Sequence, residues 1–257
     1  MKARIRRLCL LTVMLPALSW PSALPVSAEP APACTAMTGP YQREMERHLR
    51  LPVDGRQSDQ DCRAIRVFQS ANGVRPADGY AGLATYRTML VVEAGPNPNA
   101  EGRCPVRDYK VACVDLDRQL MWVQTGRRTV FAPVPVRSGR DGDETRTGWF
   151  RVYWRDLDHY SDLYDNAPMP YSQFFSDGQA FHGSYVDLFE GGSHGCVNMR
   201  LDDARRLWDA LEEDDAVFVW GTKPGTERSL TRADVPRDPP PPVPRAERTP
   251  PPMPGAR

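Results

Sequence analysis

Residues 181–199 read F-H-G-S-Y-V-D-L-F-E-G-G-S-H-G-C-V-N-M, and this stretch decides how the rest of the sequence is interpreted. It places Cys196 among small residues, which clear space around the sulfur and leave backbone N–H groups free to point at a ligand. His182 follows Ala180 and Phe181, a pattern that predicts the end of a short strand. A thiol, a nearby imidazole and free N–H donors are what a covalent nucleophile with an oxyanion hole requires.

The order His-Gly, short loop, Ser-His-Gly-Cys-Val-Asn resembles the signature of the L,D-transpeptidases, the YkuD-type cysteine enzymes of bacterial cell walls. The resemblance implies that Cys196 is the nucleophile, that His182 is its base and that the carbonyl of Gly183 orients the imidazole. It also implies an oxyanion hole made by the N–H groups of Gly195 and Cys196, with His194 beside them. No metal or organic cofactor is expected for this chemistry.

Further contacts of the site are expected from the same resemblance. Ser193, Asn198 and Tyr171 are candidate substrate-binding residues, Tyr171 as part of a cleft wall formed by residues 167–171 together with the aromatic residues Phe174 and Phe175. Ten residues separate His182 from Ser193, which predicts a shortened loop over the site. The run T-R-T-G-W-F at residues 145–150 resembles the family's T-P-x-G-x-F motif, with arginine where proline is frequent.

Other interpretations of these residues remain open. Cys196 and His182 could be structural, since a lone cysteine is often a buried, inert residue. His182, His194 and Cys196 could instead supply three zinc ligands, although their spacing matches no common zinc pattern. The same active site could use water and act as an L,D-carboxypeptidase. A general secreted cysteine protease and a non-catalytic wall-binding protein with a degenerate enzyme fold are the remaining alternatives.

Export is predicted from residues 1–28, where a basic start precedes an apolar run and small residues suited to cleavage. The apolar run is too short for a stable membrane span. Removal of Cys9 with this signal leaves an odd number of cysteines in an oxidising compartment, where disulfides persist. Local pairing is favoured, although four cysteines allow three pairings, and Cys196 is left as the free thiol. The expected disulfide cysteines are Cys34, Cys62, Cys104 and Cys113.

Two folded parts are predicted, which together give an α+β protein. Residues 36–92 show helical spacing and Asp-Gly turns, and they resemble the three-helix peptidoglycan-binding module of wall enzymes. This part could also be a spacer or a lid. Residues 105–222 are predicted to form a mainly-β, YkuD-like catalytic domain with strands near 111–116, 119–124, 129–136, 149–154 and 216–220, and a helix over 201–211. Residues 223–257 are Pro-rich and are predicted to be an extended, disordered tail.

The implied function is acyl transfer on peptidoglycan stem peptides outside the cell, forming 3→3 cross-links. The expected partners are the stem peptides and glycan of the wall, and carbapenem-type inhibitors are expected to react with the thiol. A net charge of zero over 257 residues gives no electrostatic case for nucleic acid.

Overall fold

A computed structural model describes residues 33–226 of the chain. Three helices come first, and a mainly-β part follows, which confirms the α+β class. The predicted signal segment 1–28 and all but the first residues of the tail 223–257 lie outside the described range. The elements are α1 (Gln42–Leu49), α2 (Asp59–Ala71), α3 (Leu83–Ala94), β1 (Lys110–Asp115), β2 (Leu120–Thr125), β3 (Arg128–Pro135), β4 (Gly148–Arg151), β5 (Trp154–Tyr160), β6 (Pro168–Ser176), β7 (Gln179–Gly183), β8 (Val197–Met199), α4 (Leu201–Ala210) and β9 (Ala216–Trp220).

The three N-terminal helices pack around a small core of their own. Ser58 caps α2: its hydroxyl accepts the Asp61 N–H, while the Asp61 carboxylate accepts the Ser58 N–H. Such a capping box satisfies two amide donors that the first helical turn leaves unpaired. The buried side chains of this core are Met45, Ile65, Phe68, Ala81 and Met89.

The helices also contact the β-rich part of the chain directly. Arg87 of α3 is buried and donates a hydrogen bond of 2.6 Å to the carbonyl of Arg118, in the turn between β1 and β2. Arg118 in turn donates to the carbonyl of Pro98, in the segment that joins the two parts. A buried guanidinium needs such a partner, so this contact helps to hold the helices against the sheet.

The strands form two sheets that share the main core. The first sheet has the order β3-β2-β1-β9-β4 and the second the order β5-β6-β7-β8. Neighbouring strands are antiparallel except for the pairs β1–β9 and β7–β8, which are parallel. Apolar side chains from both sheets and from α4 form one cluster, among them Val114, Val123, Phe181, Val197, Leu207 and Val217.

The strand predicted over 149–154 is wrong as a single element. The chain breaks at Val152 and Tyr153 and passes from β4 in the first sheet to β5 in the second. Buried Val152 exchanges backbone hydrogen bonds with Asp214 and Asp215, whereas the N–H of Tyr153 bonds to the carbonyl of Phe174. The sequence analysis also missed β6, because Pro168 and Pro170 lack the N–H that a strand normally donates.

Both disulfides have the local pairing that the sequence favoured. Cys34 is joined to Cys62 and Cys104 to Cys113, and Cys196 is the free cysteine among the described residues. Within residues 33–226, no helix has both the length and the apolar character needed to cross a membrane.

Candidate active site

The parallel pairing of β7 and β8 brings the histidine and cysteine segments together. Phe181 lies opposite Val197, and His182 lies opposite Asn198. Side chains alternate along a strand, so Phe181 and Val197 enter the main core, while His182, Cys196 and Asn198, each next to one of them, face a cavity. These three residues line the same cavity, although Cys196 lies fourteen positions after His182 in sequence.

This cavity has a volume of about 810 Å³, and aromatic side chains form part of its wall. Trp154 and Phe174 stack with ring centroids 4.7 Å apart, and Met169 packs against the same cluster. On another side, Tyr164 stacks on His194 with ring centroids 4.0 Å apart. Phe174 lies in the region that the sequence analysis assigned to the cleft wall, whereas Trp154 and Tyr164 were missed; the available signal for them was the density of aromatic residues before His182.

His182 is buried and held at both ring nitrogens. Its Nδ1 lies 2.8 Å from the carbonyl oxygen of Gly183, the contact that the sequence analysis expected. Its Nε2 lies 2.7 Å from the side-chain nitrogen of Asn198. Burial lowers the pKa of His182 from 6.5 to about 4; the hydrogen bond to Gly183 acts in the opposite direction, and the charges of Arg137 and His159 lower the pKa by smaller amounts. The imidazole is therefore neutral at pH 7.

Cys196 is half-buried and also neutral in the resting site. Burial raises the pKa of its thiol to about 11, while the backbone N–H of Ala180 acts in the opposite direction. The sulfur donates a weak hydrogen bond of 3.8 Å to the carbonyl of Gly178. In the described part of the chain, no hydrogen bond joins Cys196 to His182. Catalytic hydrogen bonds often form only with substrate bound, so the missing hydrogen bond is compatible with proton transfer from Cys196 to His182 once substrate is in place.

The expected oxyanion hole is only partly open. Gly195 has a φ of 106°, a conformation that favours glycine, and its N–H donates to the hydroxyl of Ser193 at 3.1 Å. The Ser193 hydroxyl donates in turn to the carbonyl of Cys196. Of the two expected N–H donors, that of Gly195 is thus engaged within the loop, whereas that of Cys196 has no partner among the residues described. His194 is exposed and lines the cavity.

Of the three residues expected to contact substrate, two line the cavity but use their polar side chains within the protein, and the third does not line the cavity. Ser193 lines the cavity, but its hydroxyl is used to shape the loop around Cys196. Asn198 also lines the cavity, and its amide is directed at His182. Tyr171 is not among the cavity-lining residues: it packs against the main core and against Trp208. Tyr171 is therefore not part of the wall of this cavity, and its contact with substrate stays a prediction.

The position of Tyr171 has a backbone cause. Tyr171 has a φ of 60° within β6, which interrupts the regular alternation of side chains along the strand. Met169 and Phe174 are an odd number of residues apart, yet both face the cavity. The cavity wall in this strand is thus formed by Pro168, Met169 and Phe174, and Tyr171 lies on the other side.

The run at residues 145–150 supports the cysteine loop. The Thr145 hydroxyl donates to the carbonyl of Gly195 at 2.8 Å and accepts the N–H of Gly139. The N–H of Arg146 donates to the side chain of Gln179, at the start of β7. Arginine at this position is therefore compatible with the turn, since its own N–H, which proline lacks, makes a hydrogen bond.

The candidate zinc ligands are not arranged as a metal site. His182 has both nitrogens engaged, and His194 is stacked on Tyr164. In residues 33–226, no group of three or more His, Cys, Asp or Glu side chains is arranged to hold a metal ion.

A known protein family matches the β-rich part of the chain, and the match to solved structures extends beyond that part. A family model, the YkuD L,D-transpeptidase catalytic domain, matches residues 109–219. An L,D-transpeptidase structure from Stackebrandtia nassauensis is 34% identical, covering 75% of this chain and 96% of its own, with a TM-score of 0.59. An L,D-transpeptidase structure from Xylanimonas cellulosilytica is 24% identical, covering 75% of this chain and 100% of its own, with a TM-score of 0.42. One from Mycobacterium tuberculosis is 20% identical, covering 44% of this chain and 57% of its own, with a TM-score of 0.40. No curated protein matches the chain.

The family model covers both strands that carry the candidate site, β7 and β8. The relative from Stackebrandtia nassauensis is matched over nearly all of its length, and the two proteins are similar in sequence as well as in fold. Together these matches show that the chain belongs to the L,D-transpeptidase family with the YkuD-type catalytic domain.

Proposed function

We propose that this protein is an exported cysteine L,D-transpeptidase that forms 3→3 cross-links between peptidoglycan stem peptides. The observation that carries the proposal is the register of β7 and β8, which directs His182 and Cys196 into one cavity. The cavity is large enough to take a peptide segment, since ligand sites commonly measure about 300–1,000 Å³.

In the first half-reaction, Cys196 attacks the carbonyl carbon at the L-centre of the third stem residue. The thiol proton passes to Nε2 of His182, the C–S bond forms, and negative charge develops on the carbonyl oxygen beside the Cys196 N–H. Collapse of this intermediate breaks the amide bond. The proton on His182 goes to the departing amine of the terminal D-alanine, and an acyl-thioester on Cys196 remains.

In the second half-reaction, a side-chain amine of a neighbouring stem attacks the thioester. His182 takes a proton from this amine, the new amide bond forms, and the sulfur of Cys196 leaves and is reprotonated. Attack by water at the same step would give a tripeptide product and make the protein an L,D-carboxypeptidase.

The pKa values of the resting site favour proton transfer after substrate binding. Burial raises the thiol pKa to about 11 and lowers the imidazole pKa to about 4, so both shifts oppose a thiolate–imidazolium pair in the free enzyme. Proton transfer concerted with attack on the carbonyl avoids a separate charged pair. An oxyanion donor is worth roughly 3 kcal/mol of barrier in such reactions.

The proposal includes wall binding and an extracellular location. We assign wall binding to the helical part, residues 36–92, and catalysis to residues 105–222. The disulfides Cys34–Cys62 and Cys104–Cys113 are consistent with an oxidising compartment. The signal segment 1–28 would direct the chain there.

Product analysis tests the proposed reaction. Purified enzyme is incubated with tetrapeptide muropeptides, and the products are identified by mass spectrometry. We expect a dimer that has lost one D-alanine, and no product from Cys196→Ala, while Arg205→Gln, a change at an exposed position on α4, retains activity. Tripeptide monomers alone would favour the carboxypeptidase, and an active Cys196→Ala enzyme would contradict the proposal.

A further inference from the structure

A chain of four hydrogen-bonded groups runs behind the candidate base. Arg137, which follows β3, donates from Nη2 to Oδ1 of Asn198 at 3.3 Å. Asn198 Nδ2 lies 2.7 Å from His182 Nε2, and His182 Nδ1 lies 2.8 Å from the Gly183 carbonyl. The side chains are buried, with exposures of 9% for Arg137, 3% for Asn198 and 7% for His182. Water therefore has little access to compete for these bonds.

The donor at one end of this series of hydrogen bonds and the acceptor at the other end determine which atoms between them donate and which accept. A guanidinium can only donate, so the oxygen of the Asn198 amide must face Arg137, and its NH₂ group must face His182. Nε2 of His182 must then be the acceptor. At the other end, the carbonyl of Gly183 can only accept, so Nδ1 must carry the proton. Both ends independently specify the same neutral tautomer.

We propose that Arg137 is a positioning residue which, through the amide of Asn198, fixes His182 as the Nδ1–H tautomer and keeps Nε2 as the proton acceptor. This inference rests on the proposed function in one respect, because Nε2 is the atom that takes the proton of Cys196. It assigns to Asn198 a role toward the base and not toward the substrate.

The same guanidinium also holds the loop that connects the histidine and cysteine segments. Nη1 of Arg137 donates to the carbonyl of Asp187 at 3.0 Å and to that of Glu190 at 3.4 Å. Its backbone N–H and C=O pair with those of Asn198. Arg137 therefore connects the short loop, β8 and, through Asn198, the base His182 by hydrogen bonds. Its removal is expected to change the position of more than one of these three parts.

Protonation of His182 is opposed by its surroundings. A proton on Nε2 would face the NH₂ donor of Asn198, so two donors would meet at 2.7 Å. The other titratable or charged groups around the imidazole are Arg137, His159 of β5 and the thiol of Cys196, and the first two lower the pKa of His182. During turnover the Asn198 amide must release Nε2 so that the thiol can approach it.

Two substitutions should change the protonation of Nε2, one by reversing it and the other by making it mixed. In Asn198→Asp, the carboxylate replaces the NH₂ donor by an acceptor and adds a negative charge, so Nε2 should become protonated and the pKa of His182 should rise by about 1–3 units. In Arg137→Gln, the amide of Asn198 is no longer held in one orientation, so only the Gly183 carbonyl still favours the Nδ1–H tautomer, and a measurable fraction of the Nε2–H tautomer should appear. Arg137→Lys keeps donors and charge and should restore the wild-type tautomer. Arg205→Gln, on the exposed side of α4, is the matched control.

The readout is ¹⁵N NMR of the resting enzyme over a pH range, with the His182 signals among the four histidines assigned from His182→Gln. The rate of Cys196 alkylation by iodoacetamide is measured over the same range. We expect a non-protonated Nε2 in the wild-type enzyme, in Arg137→Lys and in Arg205→Gln. Nε2 should be protonated in Asn198→Asp and partly protonated in Arg137→Gln. The kcat of Arg137→Gln should fall on the order of tenfold.

A protonated Nε2 in the wild-type enzyme would overturn the inference. So would an Asn198→Asp enzyme whose His182 titrates as in wild type, even if Arg137→Gln fails to fold. Because the NMR experiment needs no substrate, its failure is distinguishable from failure of the proposed reaction: an enzyme with the expected tautomer that forms no product would refute the function and leave the positioning role standing.

Discussion

Acidification should destabilise this protein specifically through His182. Its pKa is about 4 in the folded chain because of burial, whereas the ordinary value is 6.5. Between these values the unfolded chain binds a proton that the folded chain does not, so stability falls as pH decreases through this window. One pKa unit corresponds to about 1.4 kcal/mol, so the full difference amounts to about 3 kcal/mol, of which about 2 kcal/mol is lost by pH 5.

Urea unfolding under non-reducing conditions, at pH 7 and at pH 5, measures this effect. The reference is His182→Gln, which fills a similar volume and cannot titrate. Protonation of carboxylates destabilises both proteins alike, so the difference between their two losses isolates His182. We expect the wild-type enzyme to lose about 2 kcal/mol more than His182→Gln between these pH values. Equal losses in the two proteins, or a greater loss in the variant, would refute the assignment of a buried neutral imidazole.

Three further results are expected. Gly195→Ala should abolish most activity, because its φ of 106° disfavours other residues and a Cβ there would lie 2.3 Å from the Gln179 side chain; enzyme with normal turnover would contradict this. Cys34→Ser should cost about 1 kcal/mol more in the free energy of unfolding than Cys104→Ser, since its disulfide spans 28 residues and not 9; equal losses by urea unfolding would argue against it. A carbapenem should add its intact mass to Cys196 by peptide mapping, more slowly in His182→Ala and unchanged by chelators; an adduct elsewhere would oppose the proposed nucleophile.

The sequence was sufficient for the features that depend on local pattern. The apolar pair Ala180 and Phe181 predicts a short strand ending near His182, and the structure shows it as β7, whereas the parallel partner β8 was not predicted. The local pairing of Cys34 with Cys62 and of Cys104 with Cys113 follows from short separations along the chain. The helical spacing in residues 36–92 predicts three helices, and the structure shows α1, α2 and α3 there.

Features that depend on tertiary contacts could not be predicted in this way. The side of β6 that faces the cavity depends on the positive φ of Tyr171, a residue type that rarely adopts it. The use of the Ser193 hydroxyl within its own loop depends on the turn at Gly195. The contact between Arg137 and Asn198 joins residues 61 positions apart, and no local pattern indicates it.

The most direct test of a cysteine acyl-enzyme is to trap it. The enzyme is mixed with a donor tetrapeptide in the absence of an acceptor amine, quenched in acid within one turnover, and analysed by intact mass and peptide mapping. The account predicts a mass increase equal to the donor minus D-alanine, located on Cys196 and absent from Cys196→Ala. An adduct on another residue, or release of D-alanine by Cys196→Ala at the wild-type rate, would contradict it.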